Sequence, residues 1–168
     1  MLRILAVAKA KRERDWLMML VAFAHGLRAT EVVRLTRDNF HDGFLTVKRL
    51  KGSLPTTQAL LEHADPLLDE RKALFDYASK FAPNQRLFKL TRQRFWQLIQ
   101  EYGELAGIPA HLRHPHILKH TIAMQTIHSA GIENVRQHLG HKSISSTGEY
   151  LKVSDDDAGA AVRGALKL

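Results

Sequence analysis

The chain has 168 residues, the size of one domain that can bury a hydrophobic core without disulfides or a structural metal. Its net charge of +8 indicates a polyanionic partner, either nucleic acid or membrane headgroups, and the absence of cysteine excludes thiol catalysis and cysteine-ligated zinc. The longest apolar run, residues 16–24, is too short to span a membrane, and charged residues from position 9 interrupt any secretion signal. We therefore expect a cytosolic protein.

The first third of the chain predicts helices and then strands. Residues 1–10 have one apolar face but no capping residue, which is typical of the tail of a longer helix. A buried helix is predicted over residues 14–24, and a short helix over residues 30–35. Strands around residues 44–47 and 56–60 are separated by a turn, and they form a small hairpin.

The remainder predicts further helices. One helix is predicted from residue 65 to Pro83, which stops it, and a second from its cap Thr91 to residue 106. A third covers residues 117–130 and is followed by a shorter helix that ends at residue 139. A short helix begins near residue 143, and the last covers residues 154–168. In the helix that Thr91 caps, the pattern places Leu105 in the core. The last helix is interpreted as detachable. The fold class is mainly α with a small β-hairpin or three-stranded sheet.

Candidate chemistry is concentrated in residues 111–152, which hold seven of the ten histidines, five Lys or Arg and two acids. Most of these histidines lie in segments too polar for a core. Four of them, His111, His114, His116 and His120, are spaced like a metal cluster. Because cations surround them and no cysteine or nearby carboxylate accompanies them, a phosphate-binding role is favoured. No metal or other cofactor is predicted.

A histidine and a tyrosine, His141 and Tyr150, stand nine residues apart. A phenol with an ordinary pKa near 10 attacks poorly unless cations and a proton acceptor assist it. On a basic chain without cysteine, this spacing indicates a phenolic nucleophile aimed at a DNA phosphate.

Five motifs in register resemble those of the tyrosine recombinase (phage integrase) family. They are residues 26–31 (GLRATE), Lys51 within KRLKG, residues 114–120 (HPHILKH), residues 139–141 (LGH), and Tyr150. The resemblance implies the catalytic-domain fold of that family and a DNA recombinase. A finer resemblance, carried by His25-Gly26, residues 49–51 and Thr56-Thr57, is to the short fimbrial phase-switch invertases.

Phosphoryl-transfer chemistry suggests a role for each matching position. Arg28 would donate paired hydrogen bonds to the non-bridging oxygens, and His141 would donate another. His116 would accept the phenolic proton or orient the phosphate. Tyr150 would form a 3′-phosphotyrosine bond that needs neither metal nor ATP. Each position also has an ordinary structural reading, such as a surface arginine or a tyrosine packed at a helix edge.

Two lysines compete to be the general acid for the departing 5′ oxygen. Lys51, in the predicted hairpin, is preferred because a hairpin tip can reach a cleavage site and an ammonium can give up a proton. Lys48 is the alternative. A solvated turn lysine is the structural reading of Lys51.

Lys119 departs from the family pattern, which has its second arginine there. Lysine keeps the positive charge but lacks the planar pair of N–H donors of a guanidinium, so one hydrogen bond to the phosphate is lost. A reduction of roughly 10- to 150-fold in rate is expected. Three readings stay open: a natural variant that works with lysine, a substitution that slows cleavage, and a degenerate copy that only binds DNA. Arg113 is a weak candidate for compensation.

Further DNA contacts are predicted at Lys48, Arg49, Arg92, Arg94 and His120, with double-stranded DNA as the partner. The family usually clamps DNA with an additional N-terminal domain, so residues 1–168 are expected to be the catalytic domain without it. A homotetramer on DNA through the C-terminal segment is expected, and a monomer without DNA stays open. The alternatives are a DNA-binding module without catalysis, type IB topoisomerase-like strand passage and a metal-dependent nuclease.

Overall fold

The apolar run of the sequence forms the centre of the structure, a computed structural model that describes residues 1–50 and 52–148. Helix α1 (Leu2–Lys11) packs on α2 (Glu13–Ala24), in which every residue from 15 to 23 is buried. A helix that is apolar on all sides requires partners on all sides. Here they are α1, α4 and α6.

The strands form one antiparallel sheet in the order β1-β2-β3, with β1 at Phe40–His41, β2 at Phe44–Val47 and β3 at Thr56–Ala59. The predicted hairpin is confirmed, and β1 extends it to the three-stranded alternative. Across β2 and β3 the facing threonines Thr46 and Thr57 share a hydroxyl hydrogen bond of 3.0 Å. The outer side of β3 is covered by α7.

Two predicted helices have different bounds in the structure. Helix α3 covers Ala29–Val32, earlier than predicted, because the Glu31 carboxylate accepts the backbone N–H of Arg28 at its start. Helix α4 covers Glu70–Ala78, so the predicted start at residue 65 is wrong. Asp65 instead closes a local turn by accepting from the backbone N–H of Leu67, and the Asp69 side chain caps the helix.

Helix α5 (Arg92–Leu105) begins where predicted, because Thr91 Oγ1 accepts the backbone N–H of Arg94. Its buried face includes Phe95, Leu98 and Ile99. The placement of Leu105 in the core is wrong, since it lies in the last turn and is 61% exposed.

The C-terminal half of the described chain consists of α6 (His116–Ala130), α7 (Ile132–Leu139) and α8 (Ser145–Gly148). Ala123, Ile127, Val135 and Leu139 form a second, smaller core between α6 and α7. Gly140 ends α7 in the left-handed conformation, φ +67°. The predicted helix over residues 154–168 lies outside the described residues. Within the described ranges, no helix is long and apolar enough to cross a membrane.

Candidate active site

Arg28 lies at the start of α3, directly after the turn that ends α2. Gly26 permits that turn because its φ of +57° is in the left-handed region. The backbone N–H and Nη1 of Arg28 donate to the carboxylate of Glu31, at 2.8 and 3.0 Å. Nη1 also donates to the Leu50 carbonyl and to Ser53 Oγ, both between β2 and β3. Arg28 is thus fixed in place while its side chain stays 28% exposed.

Glu31 is a buried counter-charge beneath this arginine. Its carboxylate also accepts from the Leu50 backbone N–H at 3.0 Å and from Arg49 Nη1 at 3.4 Å. Burial raises the pKa of Glu31. The backbone donors of Leu50 and Arg28 and the adjacent guanidinium charges lower it, and their combined effect is larger than that of burial. Its pKa is therefore below the ordinary value. Glu31 had no predicted role, although its position three residues after the helix cap is a recognisable signal.

Lys119 lies on α6 beside the turn that carries Arg28. A Cβ added to Gly26 would stand 3.8 Å from Lys119 Cγ. The lysine is only 6% exposed, and its Nζ donates to the Leu139 carbonyl at 3.3 Å. Burial, followed by the positive charge of Arg28, lowers the pKa of Lys119 to about 8. Lys119 is therefore a buried cation that is mostly protonated at neutral pH.

His141 follows the left-handed Gly140 at the end of α7. Its ring is buried, and Nδ1 is 3.0 Å from Thr147 Oγ1 on α8. The pKa of His141 is lowered to about 4, first by burial and then by the charges of Lys119 and Arg28. The ring is therefore neutral at pH 7. Most histidines of this block were expected to lie outside the core, and His141 is an exception.

His116 borders two adjacent cavities. The larger, of about 590 Å³, is also lined by Arg28, Arg92, Trp96 and His114. The smaller, of about 360 Å³, is also lined by His114, Lys119 and His120. His116 is exposed at the first residue of α6, so it faces the same region as Arg28 and Lys119 without being buried with them.

The predicted DNA contacts differ in their exposure to solvent. Lys48, Arg92 and His120 are exposed. Arg94 makes two hydrogen bonds to the Glu101 carboxylate, at 2.7 and 3.2 Å. Arg49 is not at the surface: its side chain is 0% exposed, so the prediction that it contacts DNA is wrong.

Arg113, the weak candidate for compensation, is bound near its own loop. Its Nε donates to the Ile108 carbonyl at 2.7 Å, and its side chain packs against Gly103 of α5. Its nearest acid is Glu104, at 3.8 Å. The guanidinium is thus used in the loop that joins α5 to α6.

Two predicted site residues, Lys51 and Tyr150, lie outside the described residues. The other two tyrosines of the chain have structural roles. Tyr102 donates to Asp15 at 2.8 Å, and its pKa is raised to about 12, mainly by burial. Tyr77 packs on Phe88, and burial also raises its pKa. Neither is placed to act as a nucleophile.

No three His, Asp or Glu side chains in the described part of the chain are grouped so that they could hold a metal ion. The rings of His114 and His116 are 6.5 Å apart. The arrangement around them is dominated by the cations Arg28 and Lys119, which suits a phosphate better than a divalent ion.

Comparison with known proteins identifies the family. The model of the phage integrase family matches residues 1–157. The chain belongs to the phage integrase family. Tyrosine recombinase XerD of Haemophilus ducreyi is 34% identical over 153 residues, which cover 84% of this chain and 50% of the relative. Tyrosine recombinase XerA of Pyrococcus furiosus is 31% identical over 173 residues, covering 99% and 59%.

Solved structures of integrase-family members have the same fold. The XerA recombinase crystal structure gives a TM-score of 0.73 at 22% identity and covers 97% of this chain and 61% of that one. A lambda integrase dimer bound to a COC′ core site gives 0.72 at 19%, covering 94% and 46%. The chain spans about half the length of the curated relatives it matches. These relatives are Xer recombinases, which lend no support to the finer resemblance to fimbrial invertases.

Proposed function

We propose that this chain is the catalytic domain of a site-specific DNA recombinase that cuts and rejoins duplex DNA through a 3′-phosphotyrosine at Tyr150. The observation that carries the proposal is the convergence of Arg28, Lys119 and His141. These residues come from three segments distant in sequence, yet the charges of Arg28 and Lys119 both lower the pKa of His141. Such a cluster is suited to a phosphate that becomes more negative in the transition state.

Each member of the cluster would bind the phosphate differently. Arg28 is held by Glu31 through one nitrogen, Nη1, and would donate its other N–H groups to non-bridging oxygens. His141 is neutral and carries one ring N–H. If the Thr147 hydroxyl donates to Nδ1, that proton is on Nε2, where it can be donated to the phosphate. Lys119 would add a point charge.

The covalent step requires groups beyond this cluster. The Tyr150 phenolate oxygen would form a bond to phosphorus while the bond to the 5′ oxygen breaks. His116 would accept the phenolic proton, and Lys51 would give a proton to the departing 5′ oxygen. The phosphodiester energy is kept in the phosphotyrosine bond, so a 5′ hydroxyl of another strand can reverse the step. In this scheme neither ATP nor a metal ion is needed.

The partner would be double-stranded DNA, bound through the exposed side chains of Lys48, Arg92 and His120; Arg92 lines the larger cavity and His120 the smaller. The lambda integrase structures, bound to DNA as a dimer and to a Holliday junction as a tetramer, support DNA as the partner. We expect a homotetramer on DNA through the C-terminal segment. Affinity should fall steeply with salt, because most contacts would be to phosphates.

The test is covalent attachment to DNA. The chain is incubated with nicked duplexes carrying candidate recombination sites, in excess chelator, and resolved on a denaturing gel. The wild type should give a shifted DNA band, and Tyr150→Phe should give none. A shifted band that persists in the phenylalanine variant would refute the assignment of Tyr150.

A DNA-binding module without catalysis is the second candidate, and the observation that favours it is Lys119 in place of arginine. Because this lysine also donates to the Leu139 carbonyl, it has a structural use that does not depend on cleavage. Tight binding of a nicked duplex without any covalent product, in both the wild type and Lys119→Arg, would select this reading.

A further inference from the structure

At the end of helix α7, which precedes His141, the carbonyl groups of residues 138–140 are bound by donors from other parts of the fold. The His138 carbonyl accepts from Gln58 Nε2 at 2.6 Å and from Arg49 Nη2 at 3.1 Å. The Leu139 carbonyl accepts from Lys119, as described above. The Gly140 carbonyl accepts from the Leu54 backbone N–H, and the His141 carbonyl accepts from Arg136 Nη1. A helix C-terminus that is buried needs such donors, and cations suit it best.

Arg49 is the donor that also binds the other side of the site. Its Nη2 donates to the His25 carbonyl at 2.8 Å, and its Nη1 donates to the Gly26 carbonyl at 3.2 Å. These carbonyls belong to the turn that carries Arg28. Its Nε donates to Thr56 Oγ1 of β3 at 3.0 Å. One guanidinium thus contacts three segments: the turn after α2, the hairpin, and the end of α7.

From this geometry we propose that Arg49 is a positioning residue, which fixes the separation between Arg28 and His141 by joining the turn before Arg28 to the end of α7. The inference rests on the proposed function for its catalytic consequence. The side chain of Arg49 is 0% exposed, so it acts through these backbone carbonyls and not on DNA.

An arginine is required here because of its shape. The planar guanidinium offers N–H donors in several fixed directions, whereas a lysine offers its three donors from a single atom. The buried charge is compensated by Glu31 Oε2 and by the three carbonyl oxygens. Lys119 in this chain is held by one carbonyl, and it illustrates how much less a lysine can join.

Gly140 lets the segments approach closely enough for this arrangement. A Cβ at Gly140 would stand 2.7 Å from the Leu54 carbonyl oxygen and 3.2 Å from Arg49 Cγ. The φ of +67° also disfavours any other residue there. Gly140→Ala should therefore separate the same segments without altering any charge.

The experiment compares Arg49→Lys and Gly140→Ala with the wild type, using the full chain. Tyr102→Phe serves as the matched control, because it removes a buried hydrogen bond to Asp15 in a different part of the fold. Three quantities are measured for each: the His141 imidazole signals by NMR, the single-turnover rate of covalent attachment per folded molecule, and DNA affinity. His141→Gln identifies the signals.

Both Arg49→Lys and Gly140→Ala should shift the His141 signals and slow attachment by roughly 100-fold, the effect of a misplacement of about 1 Å. DNA affinity should change by less than about threefold, since Arg49 makes no phosphate contact. Tyr102→Phe should change none of the three. If Arg49→Lys does not fold, Gly140→Ala decides the question.

The outcomes separate this inference from the proposed function. In one outcome the wild type attaches to DNA, and folded Arg49→Lys or Gly140→Ala attaches equally fast with unchanged His141 signals. The positioning role is then overturned and the recombinase proposal stands. If the wild type never attaches, the recombinase proposal fails. The His141 signals then decide the positioning role alone: shifted signals support it, and unchanged signals overturn it.

Discussion

Two regions of this molecule are held together by different forces. Helices α1, α2 and α5 pack through apolar side chains, and their few buried polar groups, such as Tyr102 with Asp15, are paired among themselves. The region where the end of α2, the hairpin and α7 meet is held by buried cations that donate to backbone carbonyls. Damage to the first region should lower stability alone, whereas damage to the second should change chemistry first.

The largest expected effect in the polar region is the loss of Arg28. Arg28→Ala removes a donor to the non-bridging oxygens, and losses of this kind cost roughly 10²- to 10³-fold in rate. Single-turnover attachment to a nicked duplex measures it, with DNA affinity as the control. A rate within the error of the wild type would remove Arg28 from the site.

Lys119→Arg should change the rate in the opposite direction. A guanidinium restores a paired hydrogen bond to the phosphate, so attachment should accelerate by roughly 10- to 150-fold. The same single-turnover assay applies, with thermal unfolding measured in parallel because the position is buried. An unchanged or lower rate in a folded variant would show that lysine is suited to this site.

The charge of Lys119 should also limit the rate of covalent attachment at alkaline pH. Its pKa of about 8 means that the ammonium is present below pH 8 and is lost as the pH rises through that value. Attachment by the wild type should therefore fall between about pH 8 and pH 9, by at most roughly tenfold per pH unit. Lys119→Arg should not show this decline below pH 9. Identical profiles for the two proteins would contradict the role of this proton.

The smallest effect is expected in the apolar region. Tyr102→Phe removes the hydrogen bond to Asp15 and should lower the free energy of unfolding by about 0.5–1.5 kcal/mol. Denaturant titration measures this change. The attachment rate per folded molecule should equal that of the wild type, and a reduced rate would show that the two regions are coupled.

The sequence predicted the apolar region better than the polar one. The periodicity of residues 95–102 and the cap at Thr91 located α5, because both signals are local. The start of α4 was misplaced because Leu67 and Leu68 pack on the core from a turn, which resembles a helical stripe. Arg49 was expected at the surface because no local pattern indicates its burial. Its acceptors, which include the carbonyls of His25 and His138, are distant from it in sequence.

The motifs supplied the residues of the proposed site but did not predict their protonation states. The spacing of Arg28, Lys119 and His141 followed from the family pattern, and the structure brings these three together. The pKa of His141 near 4 and that of Lys119 near 8 arise from burial and from neighbouring positive charges: Arg28 acts on both residues, and Lys119 also acts on His141. Neither quantity is encoded in a local pattern.

Peptide mapping of the covalent product tests the central proposal most directly. The chain is trapped on a nicked duplex, digested with a protease, and the DNA-linked peptide is identified by mass spectrometry. The account predicts a single linkage, from Tyr150 to a 3′ phosphate. A linkage at Tyr77, at Tyr102, at a serine or at a 5′ phosphate would contradict it.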